Sequence, residues 1–140
     1  MDPRLQAPAQ AMRLAIGLMA TLAGIDKFFD ILADWGSYVS PVAAQLLPFS
    51  TDAFMWIVGV IEIAVGISIL TALPIAGSYV ASGWLLLVAV NLTVGGHFDV
   101  AVRDVVLSIG AFTLARLIQV RDEVRIGETR TAPARHHVIA

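Results

Sequence analysis

Four apolar runs, joined by shorter polar or proline-containing connections, set the pattern of this chain. The clearest is residues 54–73, FMWIVGVIEIAVGISILTAL. At about 1.5 Å per helical residue it has the length needed to cross a hydrocarbon core of about 30 Å. The other runs lie at about 11–29, 75–94 and 100–118. The pattern predicts an all-α fold, a transmembrane four-helix bundle forming a single membrane domain over residues 1–140. Residues 119–140 read as a polar tail with only its first turn or two ordered.

Each run carries its polar residues on one face. In the first, Arg13, Gly17, Ala20, Gly24 and Lys27 recur at steps of four and three, a stripe of small residues with a cation at each end. In the second, Gly59, Glu62 and Gly66 share a face, so the carboxylate sits in a groove another helix can enter closely. A carboxylate facing lipid is costly, so that face looks into protein. In the third, Gly77, Ala81, Trp84, Val88, Asn91 and Gly95 align. Trp84 is too deep for an interfacial anchor and its indole N–H needs a partner, while Asn91 is placed to hydrogen-bond across helices. In the fourth, eleven uncharged residues separate Asp104 from Arg116, only about 16 Å of helix. A spanning helix must therefore begin near Val100 and carry Arg103 and Asp104 within the outer part of the membrane. Asp104, Ser108, Ala111 and Ala115 then form its inward stripe.

The connection at 30–53 is the longest. Trp35 and Tyr38 suit a headgroup belt, and Pro41 and Pro48 bracket VAAQLL. Residues 39–47 read either as a short interfacial helix or as a flap over the bundle. Thr51 and Asp52 offer a helix cap at Asp52. Leu73-Pro74 breaks the chain between the second and third runs, and Gly95-Gly96-His97 makes a tight turn before the fourth. The start, with Arg4, Arg13 and LAIGLMATLAG, has a signal-peptide flavour but lacks an A-x-A cleavage pattern, and reads as an uncleaved first span.

Composition agrees with a membrane class. The chain is 58% hydrophobic and 14% charged, against roughly 25% charged in soluble domains, with a mean hydropathy of +0.81. The lipid bilayer is thus its first partner. A net charge of −2 leaves no basic footprint for nucleic acid. The absence of cysteine removes dithiol chemistry, thiolate metal sites and disulfides. Of nine basic residues, only Lys27 and Arg103 fall on the side of the long connection. The positive-inside rule then places both termini in the cytoplasm.

At matching depth the runs place Lys27, Glu62, Trp84, Asn91, Arg103 and Asp104, a neutral polar cluster in the outer half of the bundle. Burial demands neutrality whatever the purpose. Two readings stay open: a structural clasp that fixes helix register, or a pocket open to the outer side that binds a polar head group. A proton or ion path fits less well, because the inner half offers only Thr21, Ser68, Ser82 and Ser108. No catalytic residue and no metal site emerge. His97 stands alone, His136-His137 reads as a solvated pair, and no phosphate loop, nucleophile with base, or flavin motif is present.

The order Arg13…Gly17…Gly24-Ile-Asp-Lys27-Phe-Phe, then Gly59-Val-Ile-Glu62-Ile-Ala-Val-Gly66, then Arg103-Asp104 opening the last run, resembles the DoxX-like family of small four-helix membrane proteins. The resemblance covers roughly residues 13–117. It implies an accessory protein of a bacterial-type inner membrane that binds a quinone or lipid head group, or docks a redox partner. Lys27, Glu62, Arg103 and Asp104 are the candidate positions. Quinone is the one cofactor it suggests, and a larger membrane complex or a homo-oligomer the wider partnership. Related bundles that perform dithiol chemistry need cysteines, which this chain lacks. The alternatives are a purely structural or assembly subunit and, further off, a small transporter.

Overall fold

The computed structural model describes residues 3–131, which are helical apart from short connections and contain no strand. The helices are α1 (Pro3–Asp26), α2 (Pro41–Leu46), α3 (Thr51–Leu70), α4 (Pro74–Val94) and α5 (Phe98–Thr131), with one 3-10 turn at Trp35–Tyr38. Three of them, α1 from Leu5 onward, α3 and α4, are long and apolar enough to cross a membrane. The longest helix, α5, is not among them, because Arg103, Asp104 and Arg116 interrupt its apolar stretch.

Local chemistry sets the helix ends. Ser50, not Asp52, caps α3: its side chain accepts from the Ala53 N–H at 3.3 Å. Ser40 does the same for α2 through Ala43, with Pro41 at the first helical position, where no intrahelical N–H bond is required. The segment at 39–47 thus holds a short helix, Pro41–Leu46. α1 ends where Asp30 adopts φ +50°, a left-handed conformation Asp tolerates, while its N–H bonds to the Asp26 carbonyl at 2.7 Å. The α4–α5 turn needs glycine at Gly96, with φ +83°.

Two boundaries differ from the hydropathy reading. α1 is already helical from Pro3 rather than from Ala11, and α5 continues to Thr131, beyond the one or two ordered turns expected past Gln119. Hydropathy marks where lipid begins, whereas helix continuation needs only unbroken backbone bonding. The polar residues of α5 support it with side-chain bonds such as Arg116 to Gln119 at 3.1 Å and Thr129 to the Arg125 carbonyl at 3.1 Å. Residues 132–140, with Arg135 and the His136-His137 pair, lie outside the described residues.

The helices pack chiefly as two pairs, α1 with α3 and α4 with α5, with lesser seams between α3 and α4 and between α1 and α5. Small residues make the first pair possible. A Cβ added to Gly24 would lie 2.6 Å from the Gly59 carbonyl oxygen, and one on Gly59 would lie 2.7 Å from that of Gly24. Only glycine lets the backbones approach so closely. Ser82 and Ser108 join the second pair through hydroxyls 3.0 Å apart. Tyr79 adds a bond from its hydroxyl to Gln119 Oε1 at 3.1 Å.

An apolar core of Ile16, Ile69, Ala81, Ala111, Leu114 and Ile118 ties the pairs together at the end where α3 turns into α4. Lipid is as apolar as this core, so close packing rather than transfer from water holds it there. At the same end Arg13 reaches from α1 to the last turn of α3. It donates to the carbonyls of Ile69, Leu70 and Thr71 at 2.7, 2.9 and 2.9 Å, filling acceptors that the helix leaves open.

Candidate functional site

Beyond this core the two pairs bound a cavity of about 580 Å³. Ile16, Val65 and Ala81 link it to the packed end, and all four long helices contribute lining residues, as do α2 and the 3-10 turn. The six sequence-selected residues, Lys27, Glu62, Trp84, Asn91, Arg103 and Asp104, all line it. They form two ionic pairs and a loop clip.

Lys27 follows the last residue of α1, and Glu62 lies midway along α3. The close approach at Gly24 and Gly59 brings these positions together. Lys27 Nζ donates to Glu62 Oε2 at 2.6 Å, and the two side chains are 4% and 14% exposed. From α4, Trp84 directs its indole N–H at Glu62 Oε1, 3.4 Å away. On the other side Lys27 Nζ lies 3.7 Å from the centroid of a Trp35 ring, a cation–π contact.

Asp26 completes the chain of contacts and was not singled out by the sequence. Its carboxylate accepts from the Trp35 indole N–H at 2.8 Å and from the Ile31 and Leu32 N–H groups at 3.1 and 2.9 Å. A signal existed: an acid at a helix C-terminus opposes the helix dipole, so it needs donors from the connection beyond the helix. Trp35 anchors the loop over Lys27.

Asn91 bonds to the loop, not across helices. Its amide donates to the Tyr38 carbonyl at 2.8 Å, and its oxygen accepts from the Ser40 N–H at 3.0 Å. Near the end of α4 it lies level with irregular backbone, whose polar groups must find partners. His97 adds a contact from Nε2 to the Ser37 carbonyl at 3.2 Å and an edge-on meeting with the Tyr38 ring.

Arg103 and Asp104 diverge. Asp104 is buried, whereas the Arg103 side chain is 61% exposed, and the pair meets only through Nε and Oδ1 at 3.4 Å. Consecutive helical residues point about 100° apart, so one inward position excludes the other. The cluster is therefore a tight Lys27–Glu62 pair with an indole at each side and a looser Arg103–Asp104 pair on α5.

No family model matches the chain, and neither a curated protein nor a solved structure does.

Proposed function

We propose that this chain is a DoxX-like accessory membrane protein, folded as a four-helix transmembrane bundle in a bacterial-type inner membrane with both termini cytoplasmic. In this reading the outer-half cavity binds a quinone or a lipid head group, or seats a redox partner. The observation that carries it is the cavity itself: about 580 Å³, walled mainly by apolar side chains, with Lys27, Glu62 and Trp84 meeting inside it and Arg103 at its rim. Ligand sites for amphiphiles have that size and that ratio of apolar wall to a few placed polar groups. The protein's part is binding and orientation; no catalytic step is assigned to it.

A purely structural role for the charges is the second reading, favoured by one observation, the short and well-desolvated Lys27–Glu62 bond. Quinone extraction from purified protein separates the two. Wild type is expected to retain quinone, with less in Glu62→Gln and Arg103→Gln, measured on the folded fraction of each. Equal quinone content in all three would leave the structural reading standing.

A further inference from the structure

The cavity is bounded differently on its two sides. Across one side lies the connection from α1 to α3, and its polar contacts hold it down. Asp26 pins the Trp35 indole over Lys27, and Asn91 grips the backbone at Tyr38 and Ser40. The stretch of loop between these two clips is further tied to α4's end through His97 and Ser37.

The lining residues that are more than half exposed mark the rim. They include Val42 and Leu46 on α2 and Leu87 and Val90 on α4, all apolar. They share one flank, since α2 packs against α4, and Phe54 and Met55 of α3 reach the cavity as well. Arg103, on α5, is the charged exception. An apolar mouth between two helices of membrane-spanning composition opens to acyl chains rather than to water.

The ionic groups of the lining balance. Inside, Lys27 meets Glu62, and at the rim Arg103 meets Asp104, so no net charge is left to hold an ionic head. Lysine and arginine nevertheless carry further N–H groups beyond those given to their carboxylates. The interior thus offers donors to a neutral acceptor.

From these observations we infer that the cavity is loaded sideways from the bilayer. The mouth lies between α3 and α4 beside α2, and the ligand is an amphiphile whose head is uncharged and hydrogen-bond accepting. The loop at 30–40 is a fixed cover against water. This rests on the cavity being a ligand site and narrows it: a quinone belongs to this class, a fatty-acid carboxylate or a phosphate head does not.

The chain has no cysteine, so Val88→Cys in the cavity lining gives a unique reporter. In liposomes, N-dodecylmaleimide, a neutral dicarbonyl head on an alkyl chain, is expected to alkylate it. Adding Leu46→Trp and Val90→Trp to fill the mouth should slow that reaction several-fold. The same tryptophans should leave Ile109→Cys unaffected, since Ile109 is exposed on α5 and away from the lining. A sulfonated, water-soluble maleimide should stay near background until Trp35→Ala and Asn91→Ala release the cover. A fully substituted decyl-benzoquinone should protect Val88→Cys, and laurate should not. Labelling by the sulfonated reagent as fast as at Ser37→Cys, or no effect of the mouth tryptophans, would overturn the route. Equal protection by laurate would overturn the head-group class. Because the covalent probe reports access whether or not a resident ligand is found, loss of the quinone-retention result alone would sink the functional reading and leave the route intact.

Discussion

Lys27 Nζ stands 2.6 Å from Glu62 Oε2, joining the end of α1 to the middle of α3 with both side chains largely desolvated. Either charge alone would be stranded. Glu62→Gln and Lys27→Met are each expected to destabilise the protein by about 3–5 kcal/mol, because each leaves one buried charge unpaired. The double variant Lys27→Met/Glu62→Gln should recover much of that loss. Glu123→Gln, at an exposed carboxylate on α5, should change little. Thermal unfolding in detergent of the four variants gives the coupling directly. Single variants as mild as Glu123→Gln would mean that water reaches the pair.

The α1–α3 contact depends on missing side chains. A Cβ on Gly24 would meet the Gly59 carbonyl oxygen at 2.6 Å, and one on Gly17 would meet Leu70 side-chain carbons at 2.6–2.7 Å. The first obstacle is backbone and cannot swing away. Gly24→Ala should therefore cost about 1–3 kcal/mol through overpacking and separate Lys27 from Glu62. At Gly83 nothing lies within 4 Å of the added carbon, so Gly83→Ala should be neutral or slightly stabilising. Melting temperatures that fall for Gly83→Ala and not for Gly24→Ala would contradict this packing.

Arg13 serves the opposite end of the same pair. Its guanidinium satisfies three carbonyls at the C-terminus of α3, and bonds to a charged group are worth about 1.5–3 kcal/mol each before coupling among them. Arg13→Gln should lower stability clearly. Arg13→Lys should restore only part of it, because an ammonium is a point donor and cannot span the three oxygens as a planar fork does. Full rescue by lysine would show that charge near the helix end, rather than the fork, is what matters.

The polar cluster separates what helical periodicity fixes from what it leaves open. Glu62 among glycines, and Lys27 at the far end of a small-residue stripe, are legible because helical periodicity fixes which residues share a face. The same rule separates Arg103 from Asp104, since neighbours cannot both point inward. Asn91 and Trp35 were not legible in their roles. Each is fixed by the path of irregular backbone between α1 and α3, and no periodicity governs that path. Asp26 was visible as an acid at a helix end, yet its partners are loop N–H groups whose position depends on the whole connection. Helix identity in the apolar runs was readable from length and composition. The extents of α1 and α5 were not, because hydropathy reports the solvent around a helix and not its hydrogen bonds.

We predict the orientation in the membrane from charge and from the length of α5. Its 34 residues make a helix about 50 Å long, well beyond a hydrocarbon core of about 30 Å. The excess carries Arg121, Arg125 and Arg130, while among the described residues the opposite side of the protein holds only Lys27 and Arg103 as basic residues. The positive-inside rule then predicts the projecting end of α5 in the cytoplasm and the Trp35–Tyr38 turn outside. Single cysteines test this in cells, at Ser37→Cys and at Thr129→Cys, both at exposed positions. A membrane-impermeant maleimide should label Ser37→Cys in intact spheroplasts and Thr129→Cys only after permeabilisation. Neither substitution changes the charge count that sets the orientation. The reverse pattern would turn the molecule over, placing the cavity and its covering loop on the cytoplasmic side, and partners would then have to be sought there.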